Sequence, residues 1–393
     1  MSSKEIFERW YYFMVIGSKE LIRDINSKLV LETIMKEEPI SRAAISKRLG
    51  LTKATISAIV QQLLNTSLVI ETGSEDTVLG RKPILLRFCS QAGIVASIDI
   101  GLNTISVLIT DLSGEGGILK QIKTPPPEYL SKKIIELLTA TIPSFPASFY
   151  GLIGITVGIH GIVSKNHISF SPYYDFSQCN LVQTISSYFH VPVMLENEAN
   201  LSVIGESIFL SDQKTNLANI SIHSGVGLGF LLNRQLYTGT HGSAGEFGHM
   251  IIELNGRACP CGNRGCLEQY LSERALLSEF ASYSARSTAT LEEFIIEYQN
   301  KTAAALHTME HFLYYLSICI NNIQNSLDPD IILINSSFTT QFPELIEQLK
   351  EQLNYRKNIS STIAGSRLQE RSILFGGICV SVRNFLGLDH WIL

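Results

Sequence analysis

One imidazole and three thiols occur close together in the second half of the chain, at His249, Cys259, Cys261 and Cys266. Three thiolates and a neutral imidazole make up the tetrahedral ligand set of a closed, structural zinc site. Two glycines between the last two thiols let the backbone turn tightly enough for both sulfurs to reach one metal ion. We therefore predict a structural Zn²⁺ ion at this motif, residues 249–266. The alternative is a set of unrelated cysteines in a loop.

The chain has 393 residues, which is enough for two or three domains, and its hydrophobic content of 45% supports sizeable cores. It contains no run of about 18 or more apolar residues, so a membrane span is not expected. Its first residues mix charges with aromatic side chains, unlike a signal peptide. Seven cysteines, three of them in the metal-like motif, suit a reducing cytoplasm better than a disulfide framework.

The net charge of −5 is unevenly distributed. Residues 1–90 carry 13 Lys and Arg against 10 Asp and Glu, a balance of +3, so the remainder carries −8. Residues 39–70 contain basic side chains and no acidic one. A small basic part joined to an acidic body favours a DNA-binding head on a ligand-binding core.

Three helices are predicted in this basic part. Residues 26–35 have an amphipathic pattern with Leu29, Val30 and Ile34 on the apolar face. A second helix over 41–49 begins at Ser41 and is expected to bury Ala44, Ile45 and Leu49. A glycine turn leads to a third helix capped by Thr52, with apolar residues at helical spacing. Two short helices joined through such a turn predict a helix-turn-helix.

The third helix is the predicted recognition helix, whose first turns reach base edges in the major groove. Lys53, Thr55, Ser57 and Gln61 face outward there, and Arg42 adds positive charge from the second helix. Lysine suits phosphate or guanine, threonine a thymine methyl or phosphate, and glutamine an adenine. The alternative is an ordinary helical bundle with a solvated polar face.

A basic hairpin is predicted to follow the helices. Strands over 68–71 and 83–88 flank a polar turn and the tetrapeptide Gly-Arg-Lys-Pro, which contains Arg81 and Lys82. Placed after a helix-turn-helix, this tip resembles the wing of a winged helix, which contacts the DNA backbone or minor groove. We therefore predict a winged helix-turn-helix domain over 24–89, preceded by an extension over 1–23 whose aromatic patch leaves its role open.

Residues 90–393 have a different pattern, with strands predicted at 94–100, 105–110, 151–158 and 191–195 and helical stretches between and after them. Strands mixed with helices over this length predict an α/β body of two lobes.

Residues 245–273 read GEFGHMIIELNGRACPCGNRGCLEQYLSE. This stretch resembles the signature of the ROK family (repressors, open reading frames and sugar kinases). With the head attached, the chain from about residue 20 is similar to the ROK transcriptional repressors, and to their xylose repressors most of all. The resemblance implies a two-lobed actin/hexokinase-like fold with a sugar in the cleft.

The resemblance also implies a sugar pocket, made by Asn197, Glu198, Glu246, His249 and Glu268. The residue types agree with this, because carboxylates accept from neighbouring sugar hydroxyls and asparagine both donates and accepts. In the family the histidine binds zinc and also lies beside the sugar, so the metal and the pocket are expected to be linked. Taken singly, Glu198 could instead cap a helix and Glu268 could be a surface acid.

Three departures from the family's kinases concern phosphoryl transfer. Those kinases have an aspartate at the position of Glu198, and it acts as the general base. The extra methylene of glutamate either displaces the carboxylate from the sugar hydroxyl or narrows the pocket. A narrower pocket would suit a pentose. The first phosphate loop has Leu102 where a second glycine is expected, and the strand over 331–334 runs into Asn335 rather than consecutive glycines. The second loop, 224–229, keeps its glycines, which suit either an anion cradle or a tight hairpin.

Phosphoryl transfer depends almost wholly on the positioning of nucleotide, metal and hydroxyl, and the three departures affect that positioning. We therefore expect a sugar-responsive repressor that has no catalytic residues. Its expected partners are double-stranded operator DNA, a monosaccharide such as xylose, and a second copy of the chain, with a tetramer as a further option. One alternative is an ATP-dependent ROK sugar kinase that retains a DNA-binding head. Another is a DNA-binding protein whose body serves only as a dimer scaffold.

Overall fold

The computed structural model describes residues 19–74, 83–171, 174–177, 179–210, 214–353 and 361–388. The chain begins there with helices α1, α2 and α3, at Lys19–Glu37, Arg42–Leu49 and Lys53–Asn65. The predicted caps are confirmed, since the hydroxyls of Ser41 and Thr52 accept from the backbone N–H groups of Ala44 and Thr55. Gly50 adopts a φ of +66°, a conformation that suits glycine and ends α2 sharply.

The apolar faces of α1 and α2 differ in part from the prediction. Helix α1 buries Val30, Leu31 and Ile34, while Leu29 is 42% exposed. Successive helical residues are about 100° apart, so the face that holds Val30, Leu31 and Ile34 turns Leu29 toward solvent. In α2 the predicted burial of Ile45 is confirmed, the prediction for Ala44 is wrong because that residue is exposed, and Leu49 is half-buried.

The predicted wing strands are present. Strands β1, β2 and β3 lie at Ile40–Ser41, Val69–Ser74 and Ile84–Phe88, and they form a sheet in the order β1-β3-β2 with antiparallel pairing. This sheet shares one core with the three helices, which contains Ile45, Ile56, Val60 and Leu86. The predicted wing-tip residues Arg81 and Lys82 lie outside the described residues.

The first lobe of the body is built on a sheet. Its strands are β4 (Ile94–Ile100), β5 (Thr104–Asp111), β6 (Ile118–Lys123), β7 (Leu152–Ile159) and, after the β8–β9 hairpin, β10 (Val193–Asn197), in the order β10-β7-β4-β5-β6 within the described chain. The hairpin strands β8 and β9 are Ile162–Ser164 and His167–Phe170, and helices α4 and α5 are Leu130–Thr141 and Leu181–Phe189. Strand β7 pairs in parallel with both β4 and β10.

The second lobe follows helix α6, at Glu198–Ser207. Its sheet has the order β13-β12-β11-β14-β15 in the described residues, with strands Leu217–Ile222 (β11), Val226–Leu232 (β12), Gln235–Leu236 (β13), Ile331–Ser336 (β14) and Thr362–Gly365 (β15). Helices α7 to α13 are Glu268–Leu271, Glu273–Tyr283, Leu291–Gln299, Ala303–Leu327, Ser337–Gln341, Glu344–Leu353 and Ser372–Leu386. No helix in the described part of the chain combines the length and hydrophobicity needed to cross a membrane.

Helices α6 and α13 cross each other between the two sheets. Helix α6 contacts strands of both lobes, and α13 packs on α6 and on β4 and β7. A Cβ atom on Gly376 would lie 1.8 Å from the Leu201 carbonyl oxygen, and one on Gly205 would lie 2.3 Å from the Ser372 carbonyl oxygen. The two helices therefore approach through glycines, and neither position tolerates a larger residue without a shift. The two-lobed α/β body with a winged head confirms the predicted fold class.

Candidate functional site

The four predicted metal ligands converge in space. The ligand atoms of His249, Cys259, Cys261 and Cys266 all lie within 4.8 Å of one another. The Cys261 and Cys266 sulfurs are 3.7 Å apart, and the Cys259 sulfur is 3.6 Å from His249 Nδ1. A tetrahedron with metal–sulfur bonds of about 2.3 Å has edges of about 3.8 Å, so the observed spacings fit a tetrahedral metal ion such as Zn²⁺.

The backbone that carries these thiols is held by tight turns. Gly262 and Gly265 have φ values of +96° and +79°. A Cβ on Gly265 would lie 1.7 Å from the Glu253 carbonyl oxygen, so the loop closes against this segment only because the residue is glycine. Isolated bridges pair Ile251 with Cys266 and Ala258 with Arg264. The turn therefore brings the sulfurs together by backbone geometry.

The electrostatics of the thiols also favour a cation. Burial is the largest cause that raises the pKa of Cys266, to about 12, and that raises the pKa of Cys259; the other two thiols add to the rise at Cys266. Thiolates this close together are costly without a neighbouring positive charge, and a bound metal ion would supply that charge and stabilise the thiolates that coordinate it. The donor set therefore fits a metal ion.

The metal cluster and a neighbouring pocket share one wall. His249 faces Cys259 with Nδ1, while its Nε2 lies 3.7 Å from Glu246 Oε2. The Gln269 amide reaches both sides, since its Nε2 is 3.5 Å from the Cys259 sulfur and 3.3 Å from Glu268 Oε1. The cluster therefore contacts the pocket wall that carries Glu246, His249 and Glu268.

One pocket between the lobes contains all the residues predicted to bind sugar. It is lined by side chains from β10, α6, the segment before the metal cluster and α7, and these include Asn197, Glu198, Glu246, His249 and Glu268. Among the described residues that line it, none is a lysine or an arginine. The pocket therefore presents mainly carboxyl and imidazole groups.

Burial raises the pKa of two carboxyl groups of this pocket, those of Glu198 and Glu246. Burial raises the pKa of Glu198 to about 7; His160 opposes the rise and Glu246 adds to it. Burial likewise raises the pKa of Glu246, and Glu268 adds to that rise against the opposing effect of His249. Desolvated carboxyl groups that face each other are available to hydrogen-bond with a polar ligand.

Asn197 reaches the pocket wall but its amide is already engaged. Its Oδ1 accepts from the backbone N–H groups of Ala199 and Asn200, which caps the start of α6. Its Nδ2 donates to the Gly161 carbonyl oxygen at 2.9 Å and to Glu198 Oε2 at 2.8 Å. The cap of α6 is therefore Asn197 and not Glu198, and Asn197 holds the Glu198 carboxylate in place.

Sequence reasoning missed two histidines in the pocket. His160 follows β7 and its Nε2 lies 3.0 Å from Asp99 Oδ1, and His223 follows β11. Burial and then the neighbouring His160 lower the pKa of His223 to about 4. The signal that could have found them is their position, since both come directly after a buried strand that ends at the cleft.

Two residues that depart from the pattern of the family's kinases, Leu102 and Asn335, lie in segments whose local structure is described. Gly101 and Thr104 close a tight turn that leaves Leu102 49% exposed. Asn335 is buried, and its amide nitrogen donates to Ser202 Oγ, Ser372 Oγ and the Gln369 carbonyl oxygen at 2.9–3.2 Å.

The glycines of the second loop also have packing reasons. A Cβ on Gly229 would lie 2.1 Å from the Ala199 carbonyl oxygen, and one on Gly225 would lie 2.8 Å from Glu268 Oε2. Strand β12 therefore passes close to α6 and to the pocket only because these residues are glycines. The hairpin interpretation accounts for them without an anion.

The predicted DNA-contacting side chains of the head lie on its surface. Lys53, Ser57 and Gln61 are exposed on α3, and Thr55 is half-buried, with its hydroxyl 2.9 Å from that of Thr52. Arg42 is not a free surface cation, because its Nη2 lies 2.7 Å from Glu71 Oε1 on β2. It therefore ties α2 to the wing.

The head is docked on the body through α13 and Tyr150. The Tyr150 hydroxyl donates to the Thr66 carbonyl oxygen at the end of α3, at 2.7 Å. The Phe385 ring lies 4.9 Å from the Tyr150 ring, and Leu386 packs both with the core of the head and with the body cluster beneath it. Helix α13 therefore runs from the core of the head to the crossing with α6.

Comparison with known proteins agrees with this architecture. The ROK family model matches residues 95–376, and a winged helix-turn-helix DNA-binding model matches residues 23–70. A xylose repressor of Bacillus spizizenii is 35% identical over 348 residues, covering 87% of this chain and 90% of the repressor.

Solved structures show the same fold. A ROK family transcriptional regulator, described as a homolog of the E. coli MLC protein, has a TM-score of 0.77 at 24% identity and covers 93% of this chain and 96% of its own. A ROK family glucokinase from Streptomyces griseus in complex with glucose and AMPPNP has a TM-score of 0.65 at 19% identity. The match covers 73% of this chain and 99% of the glucokinase. The chain belongs to the ROK family and has a winged helix-turn-helix domain ahead of its ROK domain.

Proposed function

We propose that this protein is a transcriptional repressor whose grip on operator DNA is set by a monosaccharide bound between the lobes. The observation that carries the proposal is one continuous connection. The pocket residue Glu198 begins α6, α6 crosses α13 through Gly205 and Gly376, and the end of α13 packs against the head. The likeness to a xylose repressor makes D-xylose the first sugar to test, and the repressor would work beside its DNA in the cytoplasm.

The pocket has the chemistry of a carbohydrate site. Three carboxyl groups, at Glu198, Glu246 and Glu268, face a space without lysine or arginine in its described lining. Sugar hydroxyls donate to such groups, and one carboxylate can accept from two neighbouring hydroxyls. The side chain of Asn197 positions Glu198 through their 2.8 Å hydrogen bond.

We propose that the metal ion is Zn²⁺ and that its role is structural. Three sulfurs and one imidazole fill the positions of a tetrahedron, which leaves no open position for a substrate. Held by these four residues, Zn²⁺ would fix the loop that carries His249 and Glu268. The sugar would then bind against a wall that stays fixed, so its binding would displace the opposite lobe.

We propose that the protein binds DNA as a homodimer. Two recognition helices must reach successive major grooves about 34 Å apart, and a single α3 cannot do so. Sugar binding favours one closure of the lobes, which changes the relative placement of the two heads and releases the operator. Such a response requires different sugar affinities in the two states.

The same residues argue against sugar phosphorylation. Leu102 occupies the first loop, and Asn335 is held in a buried network with Ser202 and Ser372 where a nucleotide site would need open glycines. Glu198 reaches one methylene further than the aspartate base of the family's kinases. Since phosphoryl transfer depends on the joint placement of nucleotide, metal and hydroxyl, we propose that turnover is absent.

A sugar kinase with a DNA-binding head is the second candidate. The sequence feature behind it is the glycine loop at 224–229, a pattern that also suits an anion cradle. Incubation of the protein with ATP and D-xylose or D-glucose separates the two functions. The repressor proposal expects no sugar-dependent release of ADP, and steady release would favour the kinase.

DNA selected by the full chain from a random duplex library gives a probe for the repressor proposal. We expect fluorescence anisotropy to show tight binding of the selected duplex, and added D-xylose or D-glucose to weaken it. Binding that is the same with every sugar would contradict the proposal. Calorimetry without DNA then identifies a body that serves only as a dimer scaffold, because that body would bind no sugar.

A further inference from the structure

His160 is placed in the pocket by three elements. It follows β7 directly, and its Nε2 is held 3.0 Å from Asp99 Oδ1 on β4. The next residue, Gly161, lies so close to β9 that a Cβ there would be 2.3 Å from the Phe170 carbonyl oxygen. The imidazole is therefore fixed at the cleft by its own carboxylate partner and by the backbone behind it.

The segment of His160 is also bonded to the predicted sugar-binding residues. The Gly161 carbonyl oxygen accepts from Asn197 Nδ2, and the same amide nitrogen donates to Glu198 Oε2. Two hydrogen bonds therefore connect the backbone beside His160 to the Glu198 carboxylate. Both side chains line the same pocket, so a ligand that touches one meets the other.

Among its described lining residues, the pocket offers no charged donor apart from this imidazole, and Arg274 pairs with Glu268 from outside that lining at 3.5 Å. The carboxyl groups of Glu246 and Glu268 offer a sugar chiefly acceptor oxygens, and both amide hydrogens of Asn197 are directed at protein oxygens. No lysine or arginine belongs to the described lining. A sugar also presents oxygens that need donors, above all its ring oxygen, which can only accept.

We propose, resting on the proposed function, that His160 is an effector-binding residue that donates through Nδ1 to an oxygen of the sugar, and that Asp99 is its positioning residue. The ring makes no second hydrogen bond within the part of the chain that the structure describes, so Nδ1 is available to a ligand.

The charges around the ring support this role. Burial opposes the imidazolium, but the Asp99 carboxylate and then Glu198 on α6 outweigh it and raise the pKa of His160 to about 9. His223, after β11, faces the same ring and stays neutral, since its own pKa is lowered to about 4. At neutral pH both ring nitrogens of His160 therefore carry a proton, one for Asp99 and one for the ligand.

The test is calorimetric titration of the full chain with D-xylose and D-glucose at neutral pH, for wild type, H160A and H160Q. We expect H160A to raise the dissociation constant of the better-binding sugar by about 10- to 100-fold, because the variant loses a charged hydrogen-bond donor. H160Q keeps a donor and should recover part of that loss. Equal affinity in wild type and H160A would overturn the inference.

D99N provides a second measurement that does not depend on truncating the histidine. The amide keeps a hydrogen-bond partner but removes the charge that holds the proton on His160. We expect its sugar affinity to fall more steeply than that of wild type as the pH rises from about 6 to 8, a range in which Glu198 titrates in both proteins. A D99N profile that parallels that of wild type would overturn the role of Asp99 as the positioning residue.

The outcomes separate this inference from the proposed function. A wild-type protein that binds neither sugar refutes the repressor's sugar pocket and with it the role of His160. A wild-type protein that binds sugar, with H160A equal to it, refutes the role of His160 alone. Zinc content and operator binding of each variant show whether it is folded, since both depend on residues outside the Asp99–His160 pair.

Discussion

Replacing Cys261 by serine tests how far the pocket depends on its metal cluster. Cys261 is exposed, so the substitution itself disturbs little packing, and its sulfur lies 3.7 Å from that of Cys266. Structural zinc sites contribute about 10–16 kcal/mol of apparent binding energy in small zinc domains. One ligand of four accounts for roughly 3 kcal/mol of this, which lowers zinc affinity on the order of 100-fold.

The consequence for the sugar follows from the shared wall. Gln269 touches both Cys259 and Glu268, and His249 touches both Cys259 and Glu246. A C261S protein that loses its metal should therefore lose sugar binding as well, although the substituted residue does not line the pocket. Zinc content after dialysis against a chelator, and the thermal shift caused by D-xylose, measure the two effects in one preparation.

C179S is the matched control. Cys179 is half-buried, and its sulfur donates to the Pro127 carbonyl oxygen, a contact that serine keeps. We expect this variant to retain one zinc ion per chain and a normal response to sugar. If C261S, C259S and C266S all keep wild-type zinc content, the metal site is refuted. If zinc is lost but sugar binding is unchanged, the link between cluster and pocket is refuted.

Three further predictions concern the head, the pocket and the wing. Tyr150→Phe removes the hydrogen bond to the head and should reduce the sugar-driven change in operator affinity by about 2- to 10-fold, measured by anisotropy; an unchanged response would contradict the proposed route. Glu198→Gln should stabilise the protein by up to about 3 kcal/mol at pH 8 and not at pH 4 in urea unfolding. Burial raises the pKa of Glu198 from 4.5 to about 7, so this group destabilises the folded state progressively as the pH rises from about 4.5 to 7, and fully above that range. An equal effect at both pH values would refute the burial of this charge. Replacing Arg81 and Lys82 by alanine should weaken operator binding and lower its salt dependence by up to about two units of slope, and an unaltered slope would exclude the wing from phosphate contact.

Local signals in the sequence were sufficient for most of the head. Ser41, Gly50 and Thr52 mark helix ends by their own chemistry, and the structure confirms each of them. The faces of the helices were less predictable. Leu29 is as hydrophobic as Leu31, and only the packing of α1 on its neighbours decides which of the two is buried.

The pocket was predictable only where residues carry a recognisable pattern. Short sequence spacing brought the four metal ligands together, and the resemblance to the ROK family brought Asn197 and Glu198 to the same cleft. His160 and Asp99 are 61 residues apart, and nothing in the chain between them predicts a 3.0 Å contact. Their pairing depends on the parallel alignment of β4 and β7, which sets both strand ends at one edge of the sheet.

Residue types alone also could not predict that the side-chain amide of Asn197 is already hydrogen-bonded within the protein. An asparagine before a helix reads equally well as a cap or as a ligand-binding amide. The structure shows that it caps α6 and holds Glu198, because Ala199 and Asn200 present their backbone N–H groups to it. The function of a polar residue at a cleft therefore depends on which of its groups the local backbone has already engaged.

The central claim is that sugar in the cleft and DNA on the head stabilise different conformations of the same protein. The affinity of the full chain for D-xylose, measured by calorimetry with and without saturating selected duplex, tests it most directly. The account predicts that DNA weakens sugar binding by the same factor by which sugar weakens DNA binding, since such coupling is reciprocal. A sugar dissociation constant that is identical in free and DNA-bound protein would contradict it.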